Sequence, residues 1–567
     1  MTDTHPRSRL TAALWLAVPL LAALALHFGA LLPRLATHLP GTPDDATLAL
    51  WHTWWPAAGL ASSDTLSFGP ALNAYSGGPY LANHLGAMPL LQSLLFAPLR
   101  ALTGSPIAAF NLVLMLMQAL THALTFVYLR SKGTPPAAAG LGAGAFVLSA
   151  WYYAALSGAD IITAALWPLP LALLLWDRLL DAPGIWRALL AALAVYAGAL
   201  SGVQHLAWVF NLWLPYAAWT GFQSVRREGD GDPAGRARLV DALLAAGVGL
   251  AILLLIYPGH NMMRTLMGNE PAFGSAAAAG VMAQPARSFA VNLLRTAPLI
   301  WVAAAAGFAL GGQDERGARF WLLAGLGNLL FAFGTLPDLS RMVIGALGLP
   351  FQPVYGIAIF FGIAAFALTV YACRALGRLA ATLRPVTWLA AGGLLLAMVA
   401  ANYPALRGLP QHPVEAAPYY ATVAADREDY FVLDYPFGLL GVQDGRATGS
   451  AAYLARAAVW HGKRTISGVA AYYPPAHHAL MEGYPFLFPE RLTPDQMEAA
   501  AASLGRAVRE WRIGYVIVHP DLLGEADRAA VDALAAESGA LCPALSRDGL
   551  LFYRARWHPA GCEEGGS

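Results

Sequence analysis

The chain has 567 residues, of which 57% are hydrophobic and only 12% charged, and its mean hydropathy is +0.51. That balance is too apolar for a soluble multidomain protein and marks a polytopic membrane protein. A formal net charge of +1, with no basic stripe carrying interleaved aromatics, gives nucleic acid no footing as a partner.

The first apolar run, Leu10 to Leu32, is long enough to cross about 30 Å of hydrocarbon, and Arg7 and Arg9 precede it, so the N-terminus reads as cytoplasmic. A cleaved signal peptide would have an apolar region of about 7–15 residues and a small-residue cleavage site, and neither fits. Beyond Leu32 the chain stays polar or amphipathic as far as residue 105, which predicts a large, structured first outer loop over 33–105. Within it, Met88 to Leu102 is apolar but short and carries Pro89, Pro98 and Arg100, so it reads as a juxtamembrane or re-entrant helix. Further spans fall near 106–129, 137–156, 161–180, 188–203, 206–222, 239–258, 289–310, 320–336, 351–372 and 386–404, about eleven crossings in all. This arrangement collects Arg130, Lys132, Arg178, Arg187, Arg226, Arg227, Arg236, Arg238, Arg316, Arg319, Arg374, Arg378 and Arg384 on the cytoplasmic side. Only Arg34, Arg100, Arg264, Arg287 and Arg341 are left scattered outside.

Residues 1–405 thus form a transmembrane domain, and from 406 to 567 the composition is that of a soluble domain. Extended runs at Tyr430–Tyr435, Tyr515–His519 and Leu550–Tyr553 alternate with helical patterns near Pro494–Trp511 and Glu525–Glu537, which predicts an α/β domain. An odd number of crossings places it outside the cytoplasmic membrane, where Cys542 and Cys562 can pair as a disulfide. Cysteine spacing offers no metal site. Gly140-x-Gly142-x-x-Ala145 has the spacing of a dinucleotide fingerprint but follows Pro135-Pro136 with no strand before it. Gly140 and Gly144 instead read as small residues that let helices approach.

Chemistry concentrates at Thr42-Pro43-Asp44-Asp45, just beyond the first span and followed by Trp51, Trp54 and Trp55. One reading is structural: Thr42 caps a helix, Pro43 takes its first position, and the acids suit the positive end of its dipole. The other is functional, because a carboxylate so close to a bilayer is costly without a task. Consecutive helical side chains diverge by about 100°, so Asp44 and Asp45 do not share one target. Leu48, Trp51 and Trp55 recur at helical spacing, an apolar stripe suited to the headgroup region. Asn83-His84, Asp160 and Gln204-His205 fall at outer ends of segments, where they can line a cleft or simply satisfy helix ends. In the tail, His461-Gly462-Lys463 and Tyr472 to His478 supply polar and aromatic loop groups.

Asp45 with Trp51 six positions on, Asn83-His84-Leu85-Gly86, Leu102-Thr103-Gly104-Ser105-Pro106 and Phe110-Asn111-Leu112 together resemble the GT-C class of integral membrane glycosyltransferases, in particular bacterial members with an outward C-terminal soluble domain. The likeness covers nearly the whole chain. It departs from the pattern in lacking Gly-Asp-Pro order at the acid and in having Asn83 where relatives often have an acid. The resemblance implies a GT-C-like membrane domain and transfer of a sugar from a polyprenyl-phosphate-linked donor to an envelope glycan, lipid or protein at the outer face. Asp45 would take the acceptor proton, with Asp44 assisting it or binding a divalent cation. Arg264 and His260 in one outer connection and Arg341 in the next would receive the leaving phosphate, where negative charge accumulates. Two rivals remain open on the residues alone: a lipid or polysaccharide transporter, and a non-catalytic envelope assembly scaffold. No internal repeat of the kind transporters show is present.

Overall fold

A computed structural model describes residues 6–41, 43–61, 89–202, 205–229, 233–255, 316–332, 357–382, 408–414, 418–436, 459–465, 483–489, 492–520, 523–547 and 549–562. The spans expected near 289–310 and 386–404 lie outside the described residues. Two compact units are formed. One comprises the described residues up to 41 and those from 89 to 412; the other comprises 43–61 and the described residues from 413 onward.

The first unit is helical. It begins with α1 (Pro6–Phe28), followed by the short strand β1 (His38–Pro40). After α2 (Pro43–Ala61), which belongs to the other unit, it resumes with α3 (Leu90–Thr103) and α4 (Pro106–Ser131). Next come α5 (Pro136–Val147), α6 (Ala150–Ser157), the single turn α7 (Ile161–Ala164), α8 (Pro168–Asp181) and α9 (Ile185–Ser201). A helical turn at Leu206–Trp208 and a π-helical stretch at Val209–Trp213 lead into α10 (Leu214–Gly229), then α11 (Pro233–Leu255), α12 (Arg316–Ala332) and α13 (Ile357–Thr382). Among the described residues, the segments Arg9–Phe28, Pro106–Ser131, Ile161–Asp181 and Ile359–Gly377 are long and apolar enough to cross a membrane, and the bent pair α5–α6 makes a fifth candidate. Leu10, Leu14, Val18 and Leu21 on α1 and Leu244, Val248 and Ile252 on α11 are each more than half exposed. Such apolar stripes at helical spacing belong against lipid rather than water.

The glycines of α5 act as the sequence reading expects. A Cβ on Gly140 would stand 2.3 Å from the Trp15 carbonyl oxygen, and one on Gly144 would stand 3.1 Å from Pro19. Pro19 lacks the N–H that would bond to that carbonyl in a regular helix, so α5 lies directly against α1 where its ladder is interrupted. On the opposite side Gly142 faces Cys373 and Thr369 of α13. Between α1 and α4 two polar contacts add register: His27 Nδ1 lies 2.9 Å from Gln118 Oε1, and His122 Nε2 lies 3.1 Å from the Leu16 carbonyl oxygen.

The bundle has two distinct ends. At the first, the C-terminus of α1, strand β1, the start of α4 and residues 408–412 meet. The Leu409 N–H donates to the His27 carbonyl, the Gly41 N–H donates to the Pro410 carbonyl, and β1 forms a two-stranded sheet with β2 (Gln411–Pro413). At the second end, Lys132 just beyond α4 meets Asp177 of α8 and Tyr216 of α10, and Arg374 of α13 lies beside Gly317 of α12. Arg130, Lys132, Arg178, Arg187 and Arg374 belong to the second end, whereas Arg34 and Arg100 belong to the first.

In the second unit, α14 (Pro418–Ala425) precedes β3 (Phe431–Tyr435) and β4 (Arg464–Thr465); α15 (Pro494–Glu510), β5 (Ile513–Val518), α16 (Glu525–Glu537), β6 (Leu545–Arg547) and β7 (Leu550–Arg554) follow. The sheet order is β4-β3-β5-β7-β6, parallel through β5 and antiparallel beyond it. Strands and helices coincide with the extended and helical patterns of the sequence. Tyr419, Tyr420, Val423, Tyr430, Val432, Tyr515, Ile517 and Phe552 form the core over one face. Thr493 starts α15 with a capping box shared with Gln496. Cys542 and Cys562 are joined by a disulfide.

Candidate functional site

Asp44 and Asp45 occupy the first turn of α2, with Pro43 as its first residue, so the helix start anticipated from Thr42-Pro43 is in place. Thr42 and the side chains of Asp44 and Asp45 lie outside what the structure describes. Of the stripe expected at Leu48, Trp51 and Trp55, only the Trp51 side chain is among those described. Trp51 is buried, as are Leu50 and Trp54, each at most 3% exposed. Ala46, Leu50, Trp54 and Ala57 recur at helical spacing and form a buried apolar stripe along α2.

The chain enters α2 from Gly41, which is fixed firmly at the first end of the bundle. Gly41 has φ +103°, and a Cβ there would stand 2.9 Å from the Ser157 carbonyl oxygen and 3.2 Å from the Ala159 nitrogen. Only glycine meets both demands. Asn111 Nδ2 donates to the carbonyls of Leu35 and His38, both at 2.8 Å, so the Asn of Phe110-Asn111-Leu112 fastens the strand that leads to the acids. Leu102 to Pro106 is also explained: Gly104 ends α3, and Ser105 caps α4 by accepting from the Ala108 N–H at 3.2 Å.

Next to Gly41 the chain breaks out of helix between α6 and α8, and the freed backbone is satisfied by side chains. Tyr152 OH donates to the Ala164 carbonyl at 2.7 Å, Gln92 Nε2 approaches the Ile161 carbonyl at 3.4 Å, and His205 Nε2 contacts the Ile162 carbonyl at 2.8 Å. Asp160 caps α7 by accepting from the Thr163 N–H at 2.9 Å. Irregular backbone within a membrane bundle requires this kind of internal satisfaction. His205 is fully buried and accepts at Nδ1 from the Trp208 indole N–H at 2.9 Å, so both its ring nitrogens are engaged. Asp160 and His205 therefore shape the wall of this end through its backbone. Gln92, Tyr152 and Asn111 do the same work, and their polarity inside apolar helices is the signal that marks them. Asn83, His84, Gln204, His260, Arg264 and Arg341 lie outside the described residues, as does Tyr472 to His478.

In the second unit, His461 and Lys463 are structural partners. Lys463 Nζ donates to the Glu428 carbonyl at 2.8 Å and sits 4.6 Å from the Tyr430 ring centroid, and His461 Nδ1 accepts from the Lys463 N–H at 3.0 Å. Burial pushes the His461 imidazole down to about 4. Asp426 accepts from Tyr430 OH at 3.1 Å and pairs with His558 at 2.7 Å. Its burial works to raise the carboxyl, but bonds from the Glu428 N–H, His558 and Tyr430 prevail and hold it below the usual range. No group of three or more potential metal ligands occurs among the described residues.

No family model matches the chain, and no curated protein matches it. Among solved structures it is similar to a mutant form of the arabinofuranosyltransferase AftD from Mycobacteria, with a TM-score of 0.50 at 16% identity, over 95% of this chain and 41% of that one. It is also similar to the Archaeoglobus fulgidus oligosaccharyltransferase in complex with Zn and sulfate (TM-score 0.42, 13% identity, 96% of this chain and 73% of that one). A third is ArnT from Cupriavidus metallidurans bound to undecaprenyl phosphate (TM-score 0.37, 12% identity, 95% and 97%). The chain is a multi-pass membrane protein with a GT-C-type fold, as in that arabinofuranosyltransferase. It spans about two-fifths of the length of the arabinofuranosyltransferase whose fold it shares.

Proposed function

We propose that this chain is a glycosyltransferase that moves a sugar from a polyprenyl-phosphate-linked donor to an envelope glycan, lipid or protein acceptor at the outer face of a bacterial inner membrane. The observation that carries this reading is the fold shared with a glycosyltransferase of known structure, together with an acid-bearing helix that begins two residues after Gly41 in the chain. Asp45 is the base that takes the acceptor proton, with Asp44 assisting or holding a divalent cation. A phosphate is a weakly basic leaving group, so a single carboxylate suffices, and cations at Arg264, His260 and Arg341 offset the charge that develops on its oxygens.

Three observations support outward placement of the first end. The second end carries the concentration of Arg and Lys that marks cytoplasmic loops. Strand β1, just ahead of Asp44 and Asp45 in the chain, pairs with β2 at residues 411–413, just ahead of the C-terminal segment. The Cys542–Cys562 disulfide suits an oxidising compartment. The test is to screen purified protein with radiolabelled polyprenyl-phosphate sugars and to compare wild type with Asp45→Asn. Transfer by wild type that falls at least about 100-fold in the variant is expected for loss of a general base, and equal turnover removes Asp45 from the mechanism.

A further inference from the structure

At the second end of the bundle lies a cavity of about 290 Å³ that the transferase reading does not use. Its floor is a closed polar triad. Lys132 Nζ is 2.5 Å from Asp177 Oδ2 and donates to Tyr216 OH at 2.7 Å, and Tyr216 OH in turn donates to Asp177 Oδ1 at 2.8 Å. The ammonium also sits 5.4 Å from the ring centroids of Tyr128 and Tyr216. One wall is Trp219, stacked on Phe320 at 5.4 Å and 2°. The triad's charges cancel within it, so the floor is preorganised and needs no ligand to be stable.

The mouth is different. Arg178 and Asp181 line it, both exposed, and neither has an ion-pair partner among the described residues. They stand three positions apart on α8, so their side chains leave the same helix face about 5–6 Å apart. Trp186 and Phe222 are 76% and 68% exposed at this end, as expected for rings at headgroup level. A small zwitterion with a cation and an anion on a short bridge, delivered from the bilayer, matches this mouth. A purely anionic group would meet Asp181 as repulsion, and the volume is too small for a drug-sized molecule.

We propose that this cavity binds the headgroup of an aminophospholipid of the phosphoethanolamine type, with the phosphate on Arg178 and the primary ammonium on Asp181. The proposal does not depend on the glycosyltransferase reading. It is tested by native mass spectrometry of the full-length protein in detergent, offered equal amounts of phosphatidylethanolamine and phosphatidylglycerol with identical acyl chains. Wild type is expected to retain phosphatidylethanolamine in about tenfold preference, the weight of one charge-assisted hydrogen bond. Asp181→Asn should bring the ratio near unity, and Arg178→Ala should lower retention of both lipids. Equal retention by wild type, or an unchanged ratio in Asp181→Asn, overturns the proposal. Soluble phosphoethanolamine serves as a separate arm: displacement of the lipid only at large excess fits a bilayer source, and displacement at equimolar amounts overturns it. Both substitutions are at exposed positions, and the wild-type ratio is decisive by itself should either variant fail to fold.

Discussion

The two ends of the helical unit spend their polar residues in opposite ways. At the first end, Gln92, Asn111, Tyr152, Asp160 and His205 are committed to backbone groups released where helices break, and the result is a rigid, irregular wall. At the second end the helices run out regularly, and Lys132, Asp177 and Tyr216 bond to one another around a cavity. The contrast teaches that a polar residue inside a membrane bundle marks a place where either backbone or charge must be satisfied. The first kind builds shape, and the second leaves a pocket.

The comparison breaks most easily at the second end. Asp177→Ala leaves the Lys132 ammonium without its counter-charge, and the unfolding midpoint in detergent should fall by the equivalent of about 3 kcal/mol. Asp177→Leu combined with Lys132→Met should recover most of it, since a well-packed apolar pair replaces the charges. A double variant as unstable as the single one would show that the triad does more than neutralise itself. At the first end, His205→Ala orphans the Ile162 carbonyl and the Trp208 indole N–H together, a loss of about 2 kcal/mol in the same assay. Asp160→Ala removes a cap from a single turn and should cost about 1 kcal/mol.

The second unit sharpens the contrast through pH. His461 is held neutral by burial, with its imidazole near 4 against an ordinary 6.5. Between these values the unfolded chain binds the proton and the folded chain does not, so stability falls as pH drops through this window. From pH 7 to pH 5 the loss should be about 2 kcal/mol, and it should vanish in His461→Gln. A thermal-unfolding series in detergent measures it, and an unchanged slope in the variant would place the sensitivity elsewhere.

Much of this architecture is legible in the amino-acid order. Strands at 431–435, 513–518 and 550–554 fall on apolar β-branched and aromatic runs, the helix at Pro43 follows from its capping chemistry, and Gly140 and Gly144 announce a close helix contact. Pairings between distant positions were not legible. Strand β1 meets β2 across more than three hundred residues, with only a few residues on each side to betray it. Lys132, Asp177 and Tyr216 come from three separate helical segments. Their only signals are Lys132 as one of just two lysines in the chain and Asp177 as a charge inside an apolar run. At the first end, Asn111 is visible as part of a family pattern, but its task of holding the strand ahead of the acids is set by contacts 73 and 76 residues away in the chain.

The most direct test of the account is the sidedness of the two ends. Ala36→Cys at the first end and Arg226→Cys toward the second are exposed positions, Cys373 is buried, and Cys542 and Cys562 are bonded to each other. A membrane-impermeant maleimide applied to intact spheroplasts should label Ala36→Cys and leave Arg226→Cys unlabelled until the membrane is opened. Labelling of Arg226→Cys alone would turn the protein over, move the acids of α2 into the cytosol and contradict the account.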